Sequence, residues 1–93
     1  MMADLFQNLT KYSETPVFTE KSVPESLQAA HQTKPGVWGK LCVLTGGLDF
    51  VLEAPVPVAT TIQSGNHAVI EPTVRHHVRI TQPVTFNVEF YRG

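Results

Sequence analysis

The sequence is poor in charge and in cysteine, and each shortage excludes a class of protein. Charged residues make up only 16% of the 93 residues and the net charge is -1, so the chain has no basic surface of the kind that binds nucleic-acid phosphates. The single cysteine, Cys42, has no partner for an internal disulfide, which fits a reducing cytoplasm. No apolar run approaches the roughly 20 residues that cross a bilayer as a helix. We therefore expect a cytoplasmic protein that binds neither nucleic acid nor a membrane.

Signatures of nucleotide and hydrolytic chemistry are also missing. The chain contains no glycine-rich dinucleotide fingerprint, no phosphate-binding loop and no nucleophile elbow, so nucleotide use, S-adenosylmethionine binding and serine hydrolysis have no support. A chain of 93 residues is long enough for one hydrophobic core, but not for a nucleotide-binding domain beside it. The sequence leaves open whether the protein is an enzyme, and it names no catalytic residue.

Short alternating segments separated by turn residues dominate most of the chain. About seven or eight such segments, with turn signals roughly every eight to twelve residues, are typical of an antiparallel sandwich or barrel. The first fifteen residues instead mix polar and apolar types without a sustained period. We therefore predict an all-β domain over residues 16–93, preceded by a loosely ordered arm over residues 1–15.

Two local features add detail to this all-β prediction. Residues 37–44 and 48–52 flank a Thr-Gly-Gly stretch at 45–47, and this pattern predicts a hairpin. Pro24 is preset for a first helical position and predicts a short helical turn near the N-terminus. The expected architecture is thus a strand-rich domain with almost no helix.

A pair of adjacent histidines is the strongest candidate for chemistry. In the extended segment 74–80, alternation places His76 on one face with valine and isoleucine neighbours, and His77 on the other face with two arginines. His76 should therefore point inward and His77 outward. An inward imidazole in an apolar interior needs a partner for its ring nitrogens. That partner is either a metal or substrate, or a backbone carbonyl in an ordinary core.

Three stretches of the chain are distinctive in combination. They are Gly36–Leu41 with Val43–Phe50, then Ile70-Glu71-Pro72 with His76, then Phe86–Tyr91. Together they resemble the small cupin-like domain found at the N-terminus of bacterial tellurite-resistance methyltransferases and as stand-alone proteins. The resemblance runs over roughly residues 11–92 in one unbroken order. It implies a double-stranded β-helix, that is, a cupin-like jelly-roll barrel, and an association with tellurite resistance or the oxidative stress response.

The resemblance also implies a metal site, from which this sequence departs in part. Broader cupins place three histidines and one glutamate around a divalent metal inside the barrel. Counted back from Gly46, the ligand positions of the first motif fall on residues that are not ligands: Thr33, Pro35 and Gly39. The second motif matches better at its glycine, proline and histidine: Gly65, Pro72, and His76 or His77.

We predict that a divalent metal ion, whether zinc, iron, nickel or manganese, is bound by His31, His76 and Glu89. His31 lies two residues upstream of the first motif, so an extended backbone lets it face the same way. Alternation opposes Glu89, because the apolar residues of its strand occupy the other face, and only a bulge or a doubly covered sheet would reverse this. Glu71 and His77 are the alternatives that could complete the site.

A ligand pocket is predicted at the barrel mouth, lined by Lys34, Trp38 and Glu71. Lys34 stands beside a Pro-Gly turn and could guide an anionic ligand, whereas Trp38 could form a binding wall or fill a core or dimer interface. The leading hypothesis is a homodimeric cupin-like protein that binds a divalent metal and a small anionic ligand in the barrel. The alternative is a non-catalytic binding, sensing or dimerisation module whose barrel core is filled by side chains.

Overall fold

The strands of the chain form one antiparallel sheet that folds over on itself. The computed structural model describes residues 5–29, 32–53 and 55–93. The elements are a 3-10 helix (Leu5–Asn8), β1 (Thr10–Glu14), β2 (Phe18–Thr19), α1 (Glu25–Gln28), β3 (Trp38–Leu52), β4 (Val58–Gln63), β5 (His67–Ile70), β6 (His76–Arg79) and β7 (Val84–Arg92). Neither of the described helices is long and apolar enough to span a bilayer. The all-β prediction is confirmed, and the predicted helical turn is present as α1, in which Pro24 is the N-cap and not the first helical residue.

β3 is the central strand, and it turns a corner between the two halves of the sheet. Residues 38–46 of β3 pair with β5 and β7, while residues 47–52 pair with β4 and β6. Gly46 makes this corner possible, because its φ is +72° and a Cβ there would lie 2.1 Å from the Pro83 carbonyl oxygen. The predicted hairpin is therefore wrong. The Thr-Gly-Gly stretch bends one continuous 15-residue strand and does not end it.

The two halves of the sheet enclose a filled apolar core. Its buried members are Leu41, Val43, Leu48, Phe50, Ile62, Ala68, Ile70, Val78, Val84, Phe86 and Val88. Phe86 has no exposed surface, and burying a side chain of this size contributes about 1.5–3 kcal/mol. Phe90 packs against the same cluster. The alternation predicted for the last strand is thus confirmed, since its apolar residues turn inward.

Residues near the N-terminus contact the sheet in two ways. Strand β1 pairs with β7, and Phe6 of the 3-10 helix packs on the outer face of the sheet, where it is 7% exposed. The Phe6 ring centroid lies 4.6 Å from that of Tyr91 and 5.4 Å from the Lys40 ammonium nitrogen. These contacts hold residues 5–14 against the sheet. The boundary of the domain at residue 16 stays a prediction.

Candidate functional site

We call the end of the barrel that lies away from the corner in β3 the open end. There, residues 71–75 cross from β5, which pairs with the first half of β3, to β6, which pairs with the second half. The segment 32–37 packs against this crossing, because the Thr73 backbone N–H donates to the Thr33 carbonyl oxygen at 3.2 Å. These two loops therefore cover the same end of the barrel.

A pocket of about 350 Å³ opens between β1 and the segment 32–37. Its described lining consists of Tyr12, Ser13, Gln32, Thr33, Lys34, Val37 and Phe90. None of these lining residues is acidic, and Lys34 is the one that carries a charge. This volume lies at the lower end of the range for small-molecule sites, and the pocket is widely open to solvent.

A tight turn positions Lys34 beside the pocket. The Val37 backbone N–H donates to the Lys34 carbonyl oxygen at 3.1 Å, and Gly36, the third residue of the turn, has a φ of +79°. Proline at the second position and a left-handed glycine at the third are typical of a type II turn. The Pro-Gly pair therefore fixes the backbone that carries Lys34.

A β-bulge directs Tyr12 towards the same pocket. Lys11 and Ser13 pair with two consecutive residues of β7, so β1 carries one extra residue between them. In a regular strand Tyr12 and Ser13 would point to opposite faces, whereas both line the pocket. Bulges re-aim side chains in this way, often beside functional sites. The Arg92 guanidinium, 4.4 Å from the Tyr12 ring centroid, supports the ring through a cation–π contact.

His76 lies inside the barrel, which confirms the prediction from alternation. The residue is 2% exposed, and its Nδ1–H donates to the Val74 carbonyl oxygen at 3.0 Å. Its ring centroid lies 5.4 Å from that of Phe50. Burial lowers the pKa of the His76 imidazole, and the bond to Val74 opposes this effect less strongly. The surroundings of the ring therefore favour its neutral form over its charged form.

Glu89 lies on the outer face of the sheet. Its carboxylate accepts a hydrogen bond from the Tyr91 hydroxyl at 2.7 Å and pairs with the Lys11 ammonium at 3.3 Å. The Tyr91 bond first, and then Lys11, lower the pKa of Glu89, while the same carboxylate raises the pKa of Tyr91 to about 12. Glu89 thus points away from the core, whereas His76 points into it.

Among the described residues, the other metal-ligand candidates do not join His76. Glu71 is exposed, and the Nδ1 atom of His77 lies 2.8 Å from the Glu53 carboxylate. His31 lies outside the described residues. In the part of the chain that is described, no group of three or more His, Cys, Asp or Glu side chains is placed to hold a metal ion. These residues therefore do not fit the predicted centre, and a bound metal stays a prediction.

The structure places the predicted pocket residues at different positions relative to the pocket. Lys34 lines the pocket, whereas Trp38 and Glu71 do not belong to its described lining. The alternating burial along β3 places Trp38 on the outer face of the sheet. Sequence reasoning missed Tyr12 and Ser13, which fall in the segment predicted to be a loose arm. The bulge that aims them has no signature in the sequence, while the Pro-Gly turn after Lys34 does.

Comparisons with solved structures support the fold and the resemblance. The crystal structure of TehB from Haemophilus influenzae superposes with a TM-score of 0.84 and 32% identity, over 92% of this chain and 32% of that chain. A crystal structure of a protein from Escherichia coli strain K12 gives a TM-score of 0.84 and 26% identity, over 97% of this chain and 96% of that chain. KdgF from a Halomonas species gives 0.56 and 15% identity, over 88% of this chain and 63% of that chain. This last likeness concerns the fold alone, and it supports the cupin-like jelly roll.

Sequence comparisons place the chain in a family. A probable S-adenosyl-L-methionine-dependent methyltransferase TehB from Haemophilus influenzae is 49% identical over 39 residues, which are 42% of this chain and 14% of that protein. The chain thus matches only a small part of that relative's length. A family model described as a TehB-like domain matches residues 13–88. The resemblance to the cupin-like domain of tellurite-resistance proteins is confirmed, and the chain belongs to the TehB-like domain family.

Proposed function

We propose that this TehB-like domain is a non-catalytic module that binds a small anionic ligand at the open end of its barrel and contributes to tellurite resistance or the oxidative stress response. The observation that carries this proposal is the pocket beside β1, in which Lys34 supplies a positive charge among polar and apolar walls. The interior of the barrel is occupied by the apolar core, so it serves packing. Family membership supplies the biological setting.

The competing proposal is a divalent metal centre inside the barrel, where the metal would act as a Lewis acid or redox centre. The inward, buried position of His76 supports it. The outward position of Glu89 opposes it, whereas the bond from His76 Nδ1–H to the Val74 carbonyl fits either proposal, because metal-bound histidines commonly donate their other ring N–H to a carbonyl. We therefore rank the binding module first.

Metal analysis separates these two proposals. We would measure the metal content of the purified wild-type protein and of a His76→Gln variant by mass spectrometry of the elements. The binding-module proposal expects the same small, sub-stoichiometric content in both proteins. One equivalent of metal in the wild type that is lost from His76→Gln would contradict it and support the metal centre.

Tellurite tolerance tests the biological setting. In a tellurite-sensitive bacterial host, we expect the wild-type chain to raise the tolerated tellurite concentration, and His76→Gln to do so equally at the same level of soluble protein. A Gly46→Ala variant, which disrupts the corner of β3, should give no protection. If the wild-type chain is produced in soluble form and tolerance does not change, the proposed role is wrong.

We also propose that the protein is a cytoplasmic homodimer. In the described part of the chain β4 pairs with β3 alone, which leaves its other edge available to a second copy. Val56 and Val58 are exposed by 66% and 53% at this position. Light scattering after size-exclusion chromatography should give twice the chain mass of 10.3 kDa, and a monomer mass would contradict the dimer. The single cysteine supports the cytoplasm.

A further inference from the structure

The residues that line the open-end pocket indicate a class of ligand, and this inference rests on the proposed function. We propose that the pocket takes a compact organic monoanion, a carboxylate on a flat apolar body, and does not take the bare tellurite oxyanion. The Tyr12 ring, Val37 and Phe90 form its apolar walls. Phe90 also packs against the core cluster, which fixes one wall in place. Such walls favour a ligand with apolar surface to bury.

The charge around the pocket favours an anion. Lys34 lies in the lining, and the Arg92 guanidinium rests on the Tyr12 ring. The carboxylates of β1 and β7, those of Glu14 and Glu89, both pair with Lys11. Their charge is therefore partly neutralised and turned to the outer face. A carboxylate at the mouth of the pocket would meet Lys34 without an opposing acidic group among the described lining residues.

The polar groups of the lining suit one carboxylate better than a bare oxyanion. The Ser13 hydroxyl and the Gln32 amide can donate hydrogen bonds beside Lys34, whereas the Thr33 hydroxyl already donates to the Val37 carbonyl at 2.8 Å. Small oxyanions are usually held by several converging N–H donors, as at helix N-termini, backbone nests or arginine forks. This pocket presents one ammonium, one hydroxyl and one amide beside apolar walls, which are fewer donors than a bare oxyanion needs to replace its water.

The backbone that carries Tyr12 and Lys34 is preformed. The bulge in β1 turns Tyr12 to the pocket side, and Arg92 supports the Tyr12 ring from 4.4 Å. In the segment 32–37, the Pro35-Gly36 turn fixes the backbone of Lys34. Both positions are thus set by backbone features rather than by flexible side chains alone. A pocket whose lining includes an aromatic residue and a cation, both on ordered backbone, suits a flat anion.

A titration of the isotope-labelled full chain followed by two-dimensional NMR tests this inference. Benzoate serves as the probe, benzamide as its neutral isostere, and tellurite as the bare oxyanion. We expect saturable benzoate shifts confined to residues 12–13, 32–37 and 90, with benzamide about ten-fold weaker and tellurite giving no saturable shift there. Absence of saturable benzoate binding, equal binding of benzamide, or tighter binding of tellurite would overturn the inference.

Matched lysine variants locate the site. Lys34→Gln should weaken benzoate binding about ten-fold, and Lys34→Arg should restore most of the affinity. Lys21→Gln, which removes a lysine exposed in the turn after β2, should leave it unchanged. If Lys34→Gln binds benzoate like the wild type, or if the shifts map to another face, this inference alone fails. The proposed function fails separately, on the metal and tellurite-tolerance measurements.

Discussion

The two ends of this barrel use the same backbone conformation in different surroundings. Gly46 at the corner and Gly36 at the open end both have left-handed φ values, +72° and +79°. A Cβ on Gly46 would lie 2.1 Å from a backbone oxygen, whereas a Cβ on Gly36 would have nothing within 4 Å. Gly46 is therefore constrained by packing, whereas Gly36 has space around it. The cost of a side chain at a left-handed glycine thus depends on what surrounds that glycine.

The largest expected effect follows from this comparison of glycines. Gly46→Ala should lower the free energy of unfolding by about 5 kcal/mol, because left-handed strain adds to a backbone clash. Gly36→Ala should lower the free energy of unfolding by only about 1–2 kcal/mol, since left-handed strain acts there without a backbone clash. Urea denaturation followed by circular dichroism measures both. Equal losses in the two variants would show that the corner is not packed as described.

Phenylalanine truncation compares the core with the pocket wall. Phe86 has no exposed surface, so Phe86→Ala should lower the free energy of unfolding by about 3–5 kcal/mol. Phe90 is only half-buried, so Phe90→Ala should lose about 1–2 kcal/mol while it weakens ligand binding. Urea denaturation followed by circular dichroism measures both losses. A Phe86→Ala loss no larger than that of Phe90→Ala would contradict the filled core.

The pH dependence of stability tests the position of His76. Because burial lowers its folded-state pKa below the ordinary value of 6.5, the unfolded chain takes up a proton more readily. The contribution of His76 is therefore complete above pH 6.5 and is lost as the pH falls through the folded-state pKa. Denaturation at several pH values should show stability declining on acidification from neutral pH, and His76→Gln should flatten this decline.

Carboxylates titrate at lower pH than His76 and therefore serve as an internal control for the pH dependence of stability. The pKa values of Asp49 and Glu89 lie below their ordinary values, so their contributions are lost only at more acidic pH. Asp49 is stabilised by the Thr61 hydroxyl and by Arg79. A rise in stability between neutral pH and pH 5, or an unchanged decline in His76→Gln, would contradict the buried neutral imidazole.

The smallest expected effect concerns Lys34. Because this side chain is exposed at the pocket, Lys34→Gln should change the free energy of unfolding by no more than about 0.5 kcal/mol. Thermal denaturation of the variant checks this expectation beside the ligand titration. A large loss of stability would mean that Lys34 serves the fold, and the contrast between the two ends of the barrel would disappear.

Sequence reasoning succeeded where side-chain alternation decides the structure. The period of two along a strand correctly placed His76 inward and the apolar residues of β7 in the core. It failed at Gly46, because a Thr-Gly-Gly stretch can either end a strand or bend it. The deciding contact is with Pro83, which is distant in sequence. Local patterns carry no information about such a partner.

The candidate site was only partly predictable for the same reason. Lys34 could be identified from the Pro-Gly turn beside it, since turn chemistry is local. Tyr12 could not be identified, because its direction depends on a bulge in the pairing of β1 with β7. Strand β7 lies close to eighty residues further along the chain. The family resemblance directed attention to an inward metal centre, whereas the described lining of the pocket contains Lys34 and not His76.

A crystal structure of the protein grown with benzoate tests the central claim most directly. Our account predicts electron density for the aromatic ring against Tyr12 and for the carboxylate beside Lys34, with the apolar core unchanged. Density for benzoate or a metal ion next to His76 inside the barrel would contradict it.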